Sequence, residues 1–259
     1  MSTVLHPSPV FGPIHSRRLG VSLGVNLLPA DGKICTFDCI YCECGLNKDR
    51  IPHSRFPSRT DVFNRLEERL AEMRANGPAP DVITFSGNGE PTLHPDFPDV
   101  VDDVIMLRDK YFPDARISVL SNSTRIFTPA VFNALLKVDN NILKLDTVNK
   151  EFIRTVDRPV DIFYDTDIMI KQLARFQGRC VIQTMFLQGE VDGVDVTNVS
   201  GDYVGPWVDA LRRISPRQVM IYTIDRETPV SSLMKATREQ LDSIAGTVRA
   251  AGLECSVSY

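Results

Sequence analysis

Three closely spaced cysteines are the residues of this sequence best suited to do chemistry. Cys35, Cys39 and Cys42 are separated by three and then by two residues. Thiolates are soft ligands that favour zinc or iron–sulfur centres, and so short a loop can wrap three of them around one corner of such a centre. The spacing therefore predicts a metal centre with one open coordination position, which is typical of a reactive site.

A fourth cysteine leaves a second interpretation open. Cys44 follows closely and would complete a four-cysteine zinc site with a structural function. Zinc sites usually consist of two separated cysteine pairs, so four thiols within ten residues fit a single ion poorly. Cys180 and Cys255 lie alone in apolar segments, and we expect them to be buried small side chains.

Polar residues and glycines follow the predicted strands at the points where those strands end. They are Gly87, Asn88, Gly89, Glu90, Ser121, Asn122, Asp146, Thr184 and Arg226. Each has a structural alternative: a tight turn at the glycines, a helix cap at Ser121 and Asn122, a solvated strand end at Asp146, and a surface ion pair for Arg226. Thr184 and its neighbour Gln183 face opposite sides of one strand, so one of them must point inward.

The elements that position these residues alternate between strand and helix from about residue 21 onward. We count six βα units and a terminal strand, which indicates a parallel sheet with right-handed crossovers. Polar strand ends from six different strands favour a barrel, because a barrel gathers them at one mouth. The predicted fold is α/β, a partial TIM-like (β/α)6 barrel. We expect one domain over residues 1–259, with an N-terminal extension to about residue 20 and a C-terminal strand over about 253–259.

Composition limits the possible partners. The 259 residues carry a formal net charge of −4, so the overall charge does not indicate a basic surface that would bind a nucleic acid. The sequence has no apolar run long enough for a membrane span or the core of a signal peptide. We therefore expect a cytoplasmic protein that does not contact a membrane.

The cysteine loop resembles that of the radical S-adenosylmethionine (SAM) superfamily, in which an aromatic residue, here Tyr41, precedes the last cysteine. The similarity extends further and resembles a compact subgroup related to wyosine-type tRNA-modifying Fe–S oxidoreductases. It covers residues 15–20, 22–26, 35–42, 87–92, 121–122, 144–146, 158–159 and 222–226. The resemblance implies the fold of a radical SAM core.

It also implies two cofactors, one [4Fe–4S] cluster on the three cysteines and SAM on the vacant iron. By resemblance, Gly87, Asn88, Gly89 and Glu90 would receive the methionyl group, with Glu90 placing negative charge beside a cation. Ser121 and Asn122 would bond the ribose hydroxyls. Tyr41, Asp146, Thr184 and Arg226 would complete the contacts, the last through the SAM carboxylate. Arg17 and Arg18 are either an anion clamp or solvated charge.

The expected reaction is reductive cleavage of SAM to a 5′-deoxyadenosyl radical that abstracts hydrogen from a substrate. The electron would come from an external one-electron donor such as flavodoxin or ferredoxin. The acidic balance favours a small-molecule or peptide substrate over tRNA, although the subgroup resemblance favours tRNA. The remaining alternatives are a non-catalytic zinc-binding protein and an activase that installs a radical on a partner protein.

Overall fold

In the part of the chain that the structure describes, twelve strands of very unequal length form the sheets. The computed structural model describes residues 4–16 and 19–259, so Arg17 and Arg18 lie outside the described residues. The strands are β1 (Val10–Ser16), β2 (Gly20–Val25), β3 (Val82–Phe85), β4 (Arg116–Ser121), β5 (Asn140–Lys144), β6 (Val181–Met185), β7 (Leu187–Gln188), β8 (Glu190–Val191), β9 (Val194–Asp195), β10 (Gln218–Tyr222), β11 (Met234–Lys235) and β12 (Cys255–Ser258).

Helices follow the long strands and cover one face of the main sheet. They are α1 (Arg59–Asn76), α2 (Phe97–Tyr111), α3 (Pro129–Leu135), α4 (Lys150–Phe152), α5 (Thr166–Ala174), α6 (Gly201–Ile214) and α7 (Arg238–Ala250). A π-helical turn, Ile153–Asp157, extends α4. Local sequence explains where the two best-defined helices begin, because Ser58 with Asp61 and Thr237 with Gln240 form capping boxes. In the described part of the chain, no helix combines the length and hydropathy of a membrane span.

Eight strands form one curled sheet in the order β1-β2-β3-β4-β5-β6-β10-β12. All neighbouring pairs are parallel except the first, since β1 runs antiparallel to β2. The strand order is linear, with β1 and β12 at its two edges. The prediction of a partial α/β barrel with six βα units and a terminal strand is confirmed, with one antiparallel strand added at an edge.

The two faces of the sheet differ in chemistry. The outer face packs against the helices and forms the main apolar core, which includes Ile83, Phe85, Leu143, Ile182 and Ile221. The concave face is mixed, because its alternating positions carry polar as well as apolar side chains. Those that line the concave cavity are Ser22, Thr84, Leu120, Ile142, Gln183 and Met220. A polar concave face at the carboxyl ends of parallel strands is where such folds place their ligand sites.

Three elements differ from the sequence predictions. The N-terminal extension contains β1, an edge strand that includes Gly12 and Pro13. Residues 150–157 form the short helix and π turn that follow β5. Residues 187–195 form small hairpin strands before α6, which begins at Gly201 rather than at Gly205 as expected. The second and third of these segments follow the carboxyl ends of β5 and β6.

Candidate active site

The cysteine loop follows β2 and is held at the sheet's carboxyl edge by backbone hydrogen bonds to distant segments. Ile34 donates to the carbonyl of Asn88 at 3.0 Å and accepts from the amide of Glu90 at 3.0 Å. Further along, the amide of Ile40 donates to the carbonyl of Val156 at 2.9 Å. The loop's shape is therefore set by contacts with residues 88–90 and with the π turn, not by local sequence alone.

Cys35, Cys39 and Cys42 are partly exposed, and each lies close enough to influence the charge of the others. Although part of each residue reaches solvent, burial raises the pKa of Cys35 to about 12 and raises that of Cys39 as well. A hydrogen bond from Cys44 lowers the pKa of Cys42 to about 6, and nearby Lys33 adds to this. The three predicted ligands thus lie together, and one of them favours the thiolate.

Lys33 is a buried cation beside these thiols that the sequence analysis missed. Its side chain is almost fully buried, and its Nζ donates to the carbonyl of Gly45 at 2.7 Å. Burial alone would lower its pKa, but negative charge on Cys42, Cys35 and Cys39 raises it. The ammonium group therefore offsets the negative charge that three thiolates bring into the loop.

Cys44 is buried and does not extend the set of three. Its thiol donates a hydrogen bond to the carbonyl of Gly87 at 3.4 Å and is also hydrogen-bonded to Cys42. In residues 4–16 and 19–259, no three His, Cys, Asp or Glu side chains converge as ligands of one ion. Three neighbouring soft thiols on one short loop have the ligand chemistry of an iron–sulfur cluster. A four-cysteine zinc site is the alternative, and metal analysis distinguishes the two.

Gly89 brings two segments of the site into direct backbone contact. It pairs with Ile34 in an isolated parallel bridge and has a φ of +130°. A β-carbon there would lie only 1.9 Å from the Ile34 carbonyl oxygen. Gly87, with a φ of +137°, packs against Asn26 in the same way. These positions require glycine, and the pairing fixes the backbone beside Cys35.

The side chain of Asn88 forms hydrogen bonds within the protein, so a cofactor contact of this residue would involve its backbone. Its Nδ2 donates to the carbonyls of His6 and Pro29 at 2.9 and 2.8 Å, and its Oδ1 accepts from the amide of His6 at 2.8 Å. It is fully buried. Because these bonds engage both ends of the amide, Asn88 ties the N-terminal segment to the site.

Glu90 is buried and links the ends of two neighbouring strands. Its carboxylate accepts from the hydroxyl of Ser121 at 2.9 Å, the amide of Asn122 at 2.6 Å and the hydroxyl of Thr92 at 2.5 Å. Burial raises its pKa, while these hydrogen bonds oppose the rise. Glu90 thus holds Ser121 and Asn122 in place, and its negative charge beside a cofactor stays a prediction.

Asn122 reaches the cysteine loop directly. Its Nδ2 lies 3.5 Å from the Sγ of Cys35 and donates to the Oγ1 of Thr36 at 2.8 Å. Its Oδ1 accepts from the amide of Thr124, which forms an Asx turn. The N-cap position of helix α3 is Thr128, so Ser121 and Asn122 do not serve as its cap.

Tyr41 and Asp146 belong to a buried charged cluster around Lys144. The Lys144 ammonium bonds the hydroxyl of Tyr41 and the carboxylate of Asp146, and it lies 2.9 Å from Asp157. Burial would lower the pKa of Lys144, but the two carboxylates raise it well above its usual range. The cluster lies beside Cys39, whose charge also acts on Lys144. Asp146 is therefore buried and paired, and the alternative of a solvated strand end is wrong.

Thr184 lies on the helix-facing side of β6, away from the concave cavity. Its hydroxyl donates to the carbonyl of Leu145 at 2.8 Å, the carbonyl that also accepts from Trp207 of α6 at 3.0 Å. Gln183 is the residue of this strand that lines the cavity. The prediction for Thr184 is corrected accordingly, because strand alternation turns Gln183 inward.

A cavity of about 360 Å³ occupies the concave side of the sheet and opens against Cys42, Cys44 and Gly87. Arg226 lies at its rim, half exposed, and pairs with Glu43 at 2.9 Å. The alternative of a surface ion pair is thus present, with Glu43 as the partner of Arg226. A contact of Arg226 with the SAM carboxylate stays a prediction.

The fold agrees with the comparisons to known proteins. Residues 31–195 match the family model described as the Radical SAM superfamily. This match covers more than half of the chain, so the protein belongs to the radical SAM superfamily.

Relatives and solved structures give the same fold but no substrate. A UPF0026 protein of Methanocaldococcus jannaschii is 37% identical over 182 residues, which are 68% of this chain and 53% of that protein. A radical SAM methyltransferase from Sphaerobacter thermophilus superposes with a TM-score of 0.67 at 17% identity, covering 92% of this chain and 66% of that one. TYW1 with a bound lysine-pyruvate adduct superposes with a TM-score of 0.62 at 14% identity, covering 88% and 73%. Structural likeness at such low identity shows the fold alone.

Proposed function

We propose that this protein is a radical SAM enzyme with a single [4Fe–4S] cluster on Cys35, Cys39 and Cys42. The observation that carries the proposal is the meeting of these thiols with buried Lys33 beside a cavity of about 360 Å³. When bound, the reduced cluster supplies one electron that cleaves SAM to methionine and a 5′-deoxyadenosyl radical, which abstracts hydrogen from the substrate.

The residues of the chain position the cofactors and exclude water. Asn122 orients the loop through Cys35 and Thr36, and Glu90 holds Asn122 through its amide. The backbone at Gly87, which lines the cavity beside Cys42, leaves room for the methionyl part of SAM. Arg226 offers a planar cation to its carboxylate.

Tyr41 lies within the cysteine loop and helps to hold it in place. Its ring is buried and its hydroxyl bonds Lys144 and Asp146. Because Ile40 and Tyr41 belong to an apolar cluster with Phe152, Val156 and other residues, they anchor the stretch between two predicted ligands. This anchoring supports a preorganised site, in which the protein positions the cofactors and the cofactors carry out the chemistry.

The test is anaerobic reconstitution followed by iron and sulfide analysis and an assay for 5′-deoxyadenosine with dithionite and SAM. We expect about four irons per chain and deoxyadenosine formation in the wild type. Cys39→Ala should abolish both. Cys180→Ala is the matched control, because that cysteine is buried far along the chain in the main core. Bound zinc without SAM cleavage would overturn the proposal.

For the substrate we propose a small molecule or peptide rather than tRNA, acting in the cytoplasm, where thiols stay reduced. The supporting observation is the cavity, whose wall mixes apolar side chains with polar ones such as Gln183 and Thr84 and in which Arg226 lies beside the acidic Glu43 and Asp225. Titration with bulk tRNA at increasing salt tests this choice. Tight binding that weakens steeply with salt would favour tRNA instead.

A further inference from the structure

Exposed apolar side chains concentrate on one surface beside the cysteine loop. Ile162 and Phe163 are 84% and 83% exposed, and Phe127, Val160 and Ile168 are exposed as well. Four of the five line one groove of about 520 Å³, and Ile162 lines the depression next to it. Single exposed apolar residues are ordinary, but a contiguous patch marks an interaction surface. We call this surface, the groove together with the depression, the Phe163 groove.

The cysteine loop itself forms part of the wall of the Phe163 groove. Thr36, the residue after Cys35, lines the groove, and its carbonyl accepts from the amide of Val160 at 2.9 Å. Phe37 pairs with Pro159 in an antiparallel bridge, and its ring meets Tyr164 edge-on at 5.3 Å. A partner seated here would therefore lie one residue from a predicted cluster ligand.

The groove and the concave cavity lie against different parts of the loop. The cavity is lined by Cys42, Glu43 and Cys44, whereas the groove is lined by Thr36, and the two have no lining residue in common. A bound partner at the groove would leave the cavity free. This separation suits a partner that must act on the cluster while SAM and substrate occupy the other side.

The charge around the Phe163 groove is opposite to that of the whole chain. Four basic residues and two acidic ones line it, namely Arg125, Lys150, Arg154, Arg158, Asp161 and Asp165. Lys150 pairs with Asp165 at 3.2 Å. The lining side chains thus carry a net positive charge, although Asp167 also lies 4.0 Å from Lys150 and the protein has a net charge of −4. An acidic partner would be attracted to it and steered toward the loop.

We propose that the Phe163 groove is the docking surface for a small acidic one-electron carrier protein. This inference rests on the proposed function, which requires one electron from outside the chain. With flavodoxin as the carrier, the anionic flavin hydroquinone loses one electron and becomes the neutral semiquinone. The cluster gains that electron and passes from the 2+ to the 1+ state. Electron transfer needs close approach, and Thr36 provides it.

Binding tests the surface directly, without catalysis. Flavodoxin is titrated into the reconstituted protein at low and at high salt, and the affinity is compared with that of the double variant Ile162→Ser with Phe163→Ser. We expect the double variant to bind at least about tenfold more weakly and the wild-type affinity to fall with salt. Met106→Ser is the control, because Met106 is an apolar side chain of α2 that is 52% exposed. It should bind as the wild type does.

Reduction kinetics separate this proposal from the proposed function. Photoreduced flavodoxin should reduce the cluster of the double variant about tenfold more slowly, while dithionite, which needs no docking surface, should reduce it at the wild-type rate. If dithionite yields no reduced cluster in the wild type, the proposed function is wrong. If dithionite works and flavodoxin reduces both proteins equally fast, only the docking surface is wrong. Loss of self-association in the double variant, with unchanged flavodoxin binding, would assign the groove to a second copy of the chain.

Discussion

Replacing Gly89 with alanine would place a methyl group against the backbone of the cysteine loop. The new carbon would lie 1.9 Å from the oxygen and 2.6 Å from the carbon of the Ile34 carbonyl, and the residue would keep a φ of +130°. A backbone carbonyl cannot move aside as a flexible side chain can. The two segments must therefore separate, and Cys35 must move with Ile34.

The cost can be worked out from the bonds at this contact. Holding alanine at this φ costs about 1–3 kcal/mol. Separation also weakens two backbone hydrogen bonds, from Ile34 to Asn88 and from Glu90 to Ile34, at about 1 kcal/mol each. We therefore expect Gly89→Ala to lower the free energy of unfolding by about 3–5 kcal/mol.

The matched control is Gly193→Ala, in the hairpin between β8 and β9. Gly193 also has a positive φ, +79°, but nothing lies within 4 Å of its added carbon, so we expect a loss of about 1–2 kcal/mol. Urea denaturation of both metal-free variants measures the difference, and iron content after reconstitution reports on Cys35. Equal losses in the two variants would refute the reasoning, because the close approach to Ile34 would then carry no cost.

Three further predictions follow from buried or hydrogen-bonded groups. Lys33→Met removes the cation that helps lower the pKa of Cys42, so iodoacetamide should alkylate the metal-free variant more slowly than the wild type at neutral pH. Lys48→Met, on the exposed 3-10 turn, is the control and should not change the rate. Equal alkylation rates for the wild type and both variants would contradict this. Hydrogen bonds from Ser54 and a neighbouring amide hold the pKa of Asp31 at about 2. The stabilising contribution of Asp31 is present above the unfolded pKa of 3.8 and is lost as the pH falls toward 2. In urea titrations, Asp31→Asn should therefore cost more stability at pH 5 than at pH 3. The same stability difference from the wild type at both pH values would contradict this. Trp207→Ala should cost about 3–5 kcal/mol in thermal or urea unfolding, since the side chain is almost fully buried and donates to Leu145; a cost below about 1 kcal/mol would contradict it.

The barrel was predictable because its strands are short apolar runs that end in polar residues or glycine. Val82–Phe85 is the clearest case, since four buried residues lead directly into the glycine segment at 86–90. The edge strand β1 was missed because Gly12 and Pro13 interrupt it, and an edge position tolerates proline where a central strand does not.

The site was predictable where its chemistry is local and not where it depends on distant partners. The thiols are neighbours in sequence, so their spacing was informative. Lys33 and Lys144 were missed because lysines are usually exposed, and nothing near them in sequence shows that Gly45 or Tyr41 will bury them. Thr184 was misassigned because its strand is apolar on both faces, which hides the inward direction.

The long-range bonding of the cysteine loop has a consequence for how the protein is made. The backbone partners of the loop lie at residues 88–90 and 156–160. A ribosome must therefore add more than a hundred residues after Cys42 before the loop can take its final form. Until then its thiols belong to a nascent chain, where non-local contacts are slow to form. A cluster that needs the folded loop would be inserted only after these partner segments have been translated.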